Sequence, residues 1–504
     1  MSAPGQPWAP CAPHAARSAK GRAVGAVRGV GQGVALAAAL LALAGCSTLP
    51  PAEIDDAALT TPLRGEDRFR AGAHAPQPEP EDLRWWARFD DPELARWVDS
   101  ALDANLDVGI ARERVAQAQA LLQIAQARRR PQLSVQADAT AALRRRGDTR
   151  ALQPSATLAL DFDIDLWGGL RQAERSAAAG VLRSQHLVQA ARLGVAGLTA
   201  RAYLAWRLAQ AEHRLLQQTL ALQQDTLRVV GVRVDAGLSP RLDRERARAE
   251  LADTEDQLAQ AAQRIAQAAT ALQVLAGRSP LHAEAAVAAR APAAVAALAL
   301  PALRQAQPVV RPLDLLRLRP DLQAAEQALV EAAAEVGVAK AAMRPRLQLP
   351  GRLVFGAVVG GGVFELARAT LAAALDQSLF DGGERSAEVD AARSRLREAS
   401  LVYRQTLLQA LQQVEDALVA VEAAGERVRA RESGSAAAQV AVDDAQTQYR
   451  AGLVGFLDVI DAQRSALLNR QALLQAQADA ALAAVAAFEA MGLIEGGGNE
   501  GTAE

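Results

Sequence analysis

Cysteine is nearly absent from this chain. Among 504 residues only Cys11 and Cys46 carry a thiol, which excludes a disulfide framework and a cysteine-built zinc cage. Histidine is scarce too, five in all, and His74, His186, His213 and His282 are scattered rather than held at ligand spacing. Neither charge sign dominates: 55 Lys and Arg stand against 57 Asp and Glu, formally −2. That excludes a strongly basic nucleic-acid binder and an acidic-tail protein. No glycine-rich phosphate loop follows a strand and no nucleophile elbow occurs, so the sequence offers no enzyme, no metal site and no cofactor. Aromatic residues make up only 3%, while half of the residues are hydrophobic. Ala, Leu, Val, Gln and Arg predominate, a mixture suited to long helices packed closely through small side chains.

The front of the chain reads as an export address. Residues 1–33 carry Arg17, Lys20, Arg22 and Arg28 and no acid, and the apolar run Val34–Ala44 follows. That run is shorter than the ~20 residues of a membrane-spanning helix and matches a signal peptide. Its end, Leu43-Ala44-Gly45-Cys46, resembles the bacterial lipobox, which implies cleavage between Gly45 and Cys46 and lipid on Cys46. Ser47 after the cysteine favours the outer membrane by the same resemblance. An ordinary signal peptide that happens to contain a cysteine is the alternative. The leader is long, and starts near Val24 or Val27 are alternatives to Met1. Residues 1–45 are thus read as the signal peptide, 46–82 as a lipidated, proline-rich tether, and 494–504 as a disordered tail.

The body is one unit written twice. Asn105–Leu133 aligns with Arg319–Leu347 at an offset of 214, and Gly168-Gly169 with Gly382-Gly383 at the same offset. Val234–Leu238 aligns with Tyr449–Leu453 at 215, with Asp243 falling on Asp458 and Gly277 on Gly492. The two copies span 83–300 and 301–493. Each has a helix ending at an Arg-Pro boundary, an alternating stretch, a Gly-Gly pair, and a very long helical run turning at Ala-Gly-Leu. Proline, which breaks helix interiors, is missing from 155–239 and 351–504. The run from Gly168 to about Val230 would measure ~95 Å as a helix. Leu251, Leu258, Ile265 and Leu272 recur every seven residues, as do Leu467, Leu474, Ala481 and Phe488, predicting coiled-coil packing. Residues 278–318, with five prolines, read as a linker holding short structure.

Four stretches alternate with a period of two. Ser155–Leu166 does so most strictly, placing Ala156, Leu158, Leu160, Phe162, Ile164 and Leu166 on one side and Asp161, Asp163 and Asp165 on the other. Gln132–Thr140 alternates as well; Leu347–Ala357 and Leu371–Phe380 do so less cleanly. Asp161, Asp163 and Asp165 fail as a calcium loop, because its sixth and twelfth positions hold Leu166 and Gln172 instead of Gly and Glu. They read better as carboxylates on the wet, pore-facing side of a membrane strand. Four strands cannot close a membrane barrel, so the pattern implies assembly, most comfortably three copies with 12 strands. Trp167 and Phe380, at strand ends, suit an interfacial aromatic belt. A soluble β-layer on helices is the alternative.

At this point the sequence resembles the outer-membrane efflux protein family, the TolC-like channels, and within it the lipoprotein branch. The resemblance rests on Leu313–Asp321, Ala324-Ala325-Glu326, Leu379–Gly383, Val414–Leu418, Tyr449–Leu453, Leu457-Asp458-Val459 and Asp461–Arg464, with Asp165–Gly169 in the first copy. It implies a mainly α fold with a small β part. Tandem-duplicated helical hairpins form a periplasmic α-barrel, and four strands per chain enter a trimeric 12-strand β-barrel. It further implies passive conduction in the outer membrane, with a periplasmic adaptor and an inner-membrane RND-type pump as partners. Residues 278–312 and a break at Ser433-Gly434-Ser435 would form an equatorial band. Gly237, Leu238, Gly452, Leu453, Val454 and Phe456 would lie at the periplasmic aperture and adaptor contact. Asp458 and Asp461 are second-choice gating groups, Asp458 being equally suited to stabilising a helix N-terminus. A pore-less periplasmic scaffold or adaptor, and a protein-secretion duct, are the competing readings. An adaptor carries its helical hairpin once, whereas this chain carries it twice.

Overall fold

The computed structural model describes residues 68–71, 76, 78, 80–142, 151–282, 300–303, 307–357 and 364–494. The leader, Gly45, Cys46, most of the tether, His74, much of the proline-rich linker and the tail beyond Ile494 lie outside the described residues. A 3₁₀ segment, Pro80–Phe89, leads into α1 (Pro92–Ala104) and α2 (Leu106–Ala127). Strands β1 (Gln132–Ala142), β2 (Ala151–Asp161) and β3 (Asp163–Ile164) precede the hairpin of α3 (Gly169–Asp235) and α4 (Arg241–Leu275). The order then repeats: α5 (Leu315–Leu318), α6 (Pro320–Ala342), β4 (Arg346–Gln348), β5 (Gly351–Ala357), β6 (Phe364–Leu371), β7 (Ala374–Asp376), α7 (Glu384–Arg450) and α8 (Phe456–Ala490).

The duplication is visible in the helix lengths. Helices α3 and α7 each have 67 residues, and α4 and α8 each have 35. At 1.5 Å per residue the longer ones measure ~100 Å. Each 67-residue helix starts after a glycine with positive φ, Gly168 at +76° and Gly383 at +93°, a conformation that disfavours any Cβ. All four long helices end in the same way. At the first hairpin turn Leu238 N donates to Arg233 O (2.8 Å) and Gly237 N to Val234 O (3.0 Å), the paired bonds of a Schellman ending. Gly277, Gly452 and Gly492 close their helices with the same pair of bonds.

Helix α2 packs on α3, α3 on α6 and α6 on α7, a single-layer wall of four helices. The return helices α4 and α8 pack on α3 and α7, and α8 also on α3. Along α4 the buried line is mostly small, Ala247, Thr254, Ala261 and Ala269, and ends in fully buried Leu272, with Leu251, Leu258 and Ile265 half-buried beside it. One expectation fails here. Ser433-Gly434-Ser435 does not break the helix, because α7 runs through it. A Cβ on Gly434 would stand 3.3 Å from Asn469 Oδ1 of α8. The small residues there admit a close neighbour.

Several of the few aromatic residues meet in one place. Trp85, Trp86, Phe89, Trp97, Tyr203, Trp206 and Phe488 share a single core midway along the hairpins, with Trp85 stacked on Phe488 at 5.5 Å. Two latches close this level. Asn105 Nδ2 donates to Leu275 O (2.9 Å); in the second copy buried Arg319 donates to Ala490 O (2.7 Å) and Gln413 Oε1 (2.8 Å). Glycine is required beside each latch, since a Cβ on Gly277 or Gly492 would overlap the backbone of Ala104 or of Leu318 and Arg319. The arm before α1 lies on the same core: Phe69 is buried, and Arg70 N and Ala71 N donate to the Glu415 carboxylate of α7 at 3.1 and 3.3 Å.

The strands form two sheets in series. One has the order β1-β2-β5-β6, all antiparallel, and the other β3-β4-β7. The register gathers Leu133, Val135 and Ala137 opposite Leu160, Leu158 and Ala156, and these last two opposite Leu353 and Phe355. One face of the sheet is thereby apolar. The single strand read over Ser155–Leu166 is two, β2 ending at Asp161 and β3 over Asp163–Ile164 in the other sheet, and the second copy departs from the sequence reading in two further ways. Its first strand is split into β4 and β5 at Leu349-Pro350, where proline has no N–H for a ladder. Its second strand is β6 with β7, ending at Asp376, so Leu371–Phe380 was placed too late. Small Ala367 and Ala369 blur the alternation of β6. Phe380 lies beyond the strands and is 92% exposed. Trp167 is fixed at the strand–helix junction, its Nε1 donating to Pro345 O (2.7 Å). No helix among the described residues is long and apolar enough to cross a membrane.

Candidate functional site

The two hairpin tips are built alike. Gly237 (φ +68°) and Gly452 (φ +76°) take the left-handed conformation that ends α3 and α7. Leu238 and Leu453 follow them in space as in sequence, projecting from the tips at 69% and 75% exposure. Behind them lies a small core of Val230, Ala247, Tyr449, Phe456, Val459 and Ile460 that joins both hairpins, with Val454 packed against it. Phe456 is therefore a correction to the sequence reading: it is 3% exposed and packs 5.7 Å from the Tyr449 ring, inside the tip. The Arg233 guanidinium of α3 sits 4.8 Å over that same ring.

Asp458 accepts a hydrogen bond from Gly455 N (2.9 Å), capping the first turn of α8. Asp461 is exposed and lies in the field of Arg464, which pairs with Glu250 of α4. Both acids are exposed, and they differ in that only Asp458 serves a helix end. Tyr449 and Arg233, which bind the tips together, went unassigned in the sequence, where a tyrosine before Arg-Ala-Gly carries no mark of a partner 216 positions away.

The three strand carboxylates separate in role. Asp161 ends β2 opposite Gln132. Asp163 pairs with Arg346 across β3 and β4. Asp165 is not a strand carboxylate at all: its two oxygens accept from Leu170 N (3.1 Å) and Arg171 N (2.8 Å) at the start of α3. Asp381 does the equivalent work before α7, accepting from Gly383 N (2.9 Å) and Arg385 N (3.4 Å). The missed residue is Arg346, and its signal was present, a cation on a strand that must pair with an acidic one. Among the described residues no three His, Cys, Asp or Glu side chains are grouped to hold a metal.

Comparison with known proteins accords with this architecture. The model of the outer membrane efflux protein family matches residues 97–278 and 312–493, one span in each copy. The pyoverdine export outer membrane protein OpmQ of Pseudomonas putida is 31% identical over 423 residues, covering 82% of this chain and 88% of that protein. The solvent efflux pump outer membrane protein SrpC of Pseudomonas putida is 29% identical over 470 residues, 90% of this chain and 96% of its own length. The solved outer-membrane channel OprN superimposes with a TM-score of 0.77 at 27% identity, over 89% of this chain and 99% of that one. A duplicated hairpin of one helical length, a four-stranded sheet with one apolar face, and matches spanning both copies lead to one conclusion: the chain belongs to the outer membrane efflux protein family and is an outer-membrane efflux channel.

Proposed function

We propose that the chain is the exit duct of a tripartite efflux pump, passively conducting drugs or other small toxic compounds. In this reading it acts as a homotrimer with a periplasmic adaptor and an RND-type inner-membrane pump. The observation that carries the reading is the four-stranded sheet, whose outer strands β1 and β6 have no partner on their far sides among the described residues. Open edges are not tolerated in hydrocarbon. Three copies joined β6 to β1 close 12 strands, with Leu133, Val135, Leu158, Leu353 and Phe355 toward lipid. The four-helix walls then continue as an α-barrel through the periplasm.

Lipid on Cys46 would hold the arm to the same membrane, and binding of more than one acyl chain makes such anchoring stable. The tips, with Leu238 and Leu453 outermost, are the aperture and adaptor contact; Asp461 is the acid left available for gating. Asp161 and Asp163 face the pore. The test is reconstitution: native mass spectra of the detergent-extracted protein read the oligomer and the added mass at Cys46, and planar-bilayer recording reads conduction. A lipidated trimer that conducts is expected. An unlipidated soluble monomer would leave the pore-less helical scaffold as the better account. Leu453→Ser is expected to raise single-channel conductance, and unchanged conductance would remove Leu453 from the constriction.

A further inference from the structure

A cavity of about 520 Å³ opens where the strands meet the helices. Its lining draws on every helix of the wall, with Arg128 capping the end of α2, Leu170 of α3, Ala341 of α6 and Arg385 of α7 among them. A curved single layer brings its two outer helices to one cavity only on its concave side. The strand residues agree, since Asp163 and Arg346 lie in the cavity wall, in register with the polar side of the sheet rather than with Leu158 and Leu160. On the conduit reading, which this inference rests on, the concave side is the lumen.

The charges around this cavity balance in number, four guanidiniums against four carboxylates, but not in pairing. Of its acids, Asp165 is engaged with backbone amides, Asp163 pairs with Arg346, and Asp376 stands directly opposite Arg346 in the β4–β7 register. Arg385 has Asp381 at 3.9 Å. Arg128 and Arg344 are exposed and have no carboxylate within ion-pair distance among the described residues. Arg344 instead lies 5.6 Å over the Trp167 ring, and that ring is held by its bond to Pro345 O. Two guanidiniums without an ion-pair partner beside an immobilised indole, in a cavity of ligand size, make a receptor for an anion carried on a flat apolar body. Guanidinium binds carboxylate or phosphate in a fork and stacks on aromatic faces.

We propose that this junction is a lumenal way station that retains anionic aromatic cargo, a carboxylate or phosphate bearing a ring, on its way into the β-barrel. Arg128 and Arg344 would take the anion and Trp167 the ring. The cavity repeats in every copy of the chain, so a trimer holds a ring of such sites.

The experiment is single-channel recording of the full-length lipidated protein in planar bilayers, with 1-naphthoate as the blocking probe and 1-naphthylmethylammonium as its cationic counterpart. Naphthoate is expected to block the wild-type current and the ammonium probe to leave it unchanged. Arg128→Gln with Arg344→Gln should raise the half-blocking naphthoate concentration about tenfold, a shift of 1.4 kcal/mol. Arg344→Lys should retain the charge preference while weakening block. Block by both probes alike, or block insensitive to the double substitution, would overturn the way station while leaving the channel intact. A protein that forms no channel would overturn the conduit reading and the way station with it.

Discussion

Arg319 and Asn105 stand at equivalent places in the two copies, and the difference between them sets how firmly each hairpin is held. Both close a helix C-terminus by donating to its last carbonyl. Arg319 adds Gln413 of α7 and a two-point pair with Asp321, from a side chain only 9% exposed. Arg319→Asn, which installs the first copy's residue in the second, should cost about 2 kcal/mol, the range for a buried hydrogen bond to a charged group. Urea denaturation of the detergent-solubilised protein measures it, and an unchanged midpoint would show the latch to be idle. Other charged groups here are shaped by burial. Glu489 of α8 lies against α3, where Gly197 leaves room for its carboxyl; burial raises its pKa despite the Arg201 partner.

His186 of α3 shows the opposite shift. Burial holds its pKa below 6.5, against the smaller pull of Glu326 and the Gln323 hydrogen bond from α6. Because the folded value is depressed, the unfolded chain binds the proton more readily. Stability is therefore full above about pH 6.5 and falls as the pH drops through the unfolded and then the folded value. His186→Gln should reduce the loss of Tm between pH 7 and pH 5 relative to wild type. A wild-type and variant pair with parallel Tm profiles would assign the acid sensitivity elsewhere.

At the scale of elements, the long helices are continuous and closely spaced rather than strongly amphipathic. Small residues allow it: alanines along α4 and α8 let the hairpin arms approach, and Gly434 admits Asn469. The run Ser433-Gly434-Ser435 has the composition of a break, since serine and glycine are poor helix formers. Here a propensity deficit spread over three of 67 residues is outweighed by the helix on either side and by the packing of α8. Ser433→Pro separates the two descriptions. In a continuous helix it should cost about 3 kcal/mol and lower the urea midpoint; in a loop it would be tolerated. The strands obey a different economy. Their period of two is legible where large apolar residues mark one side, as in β2, and fades where alanine or glycine stands in, as in β5 and β6.

At the scale of the whole molecule, the apolar sheet face and the free edges define how the chain enters a membrane. Val135, on the apolar face opposite Leu158, and its neighbour Gln136 on the other face provide a matched pair. Val135→Lys should destabilise the inserted barrel by about 2–4 kcal/mol, the range for a cation at mid-bilayer depth, and deplete trimer from outer-membrane fractions on seminative gels. Gln136→Lys, turned to the polar side, should leave trimer yield close to wild type. Equal depletion by both would contradict the assignment of faces. On the conduit reading the wall of four helices continues that division downward, with one side toward the outside and the other toward the pore.

Much of this was written in the sequence, and for local reasons. The offset of 214–215 residues, the absence of proline and the Ala-Gly-Leu turns determine two long hairpins, because helix, turn and break are decided by neighbours a few positions apart. The family follows from those same motifs in order. What only the tertiary structure decided depends on residues far apart in the chain. Phe456 looked like an aperture residue until Tyr449 and Val230 enclosed it. Asp165 looked like a strand carboxylate until the amides of Leu170 and Arg171 turned toward it. Arg346 acquired a role only across the strand pair from Asp163, 183 positions away. Turn chemistry and periodicity act over one or two helical turns, whereas burial and charge pairing are properties of the packed chain, and so the hairpins could be read while the fate of individual side chains at their ends could not.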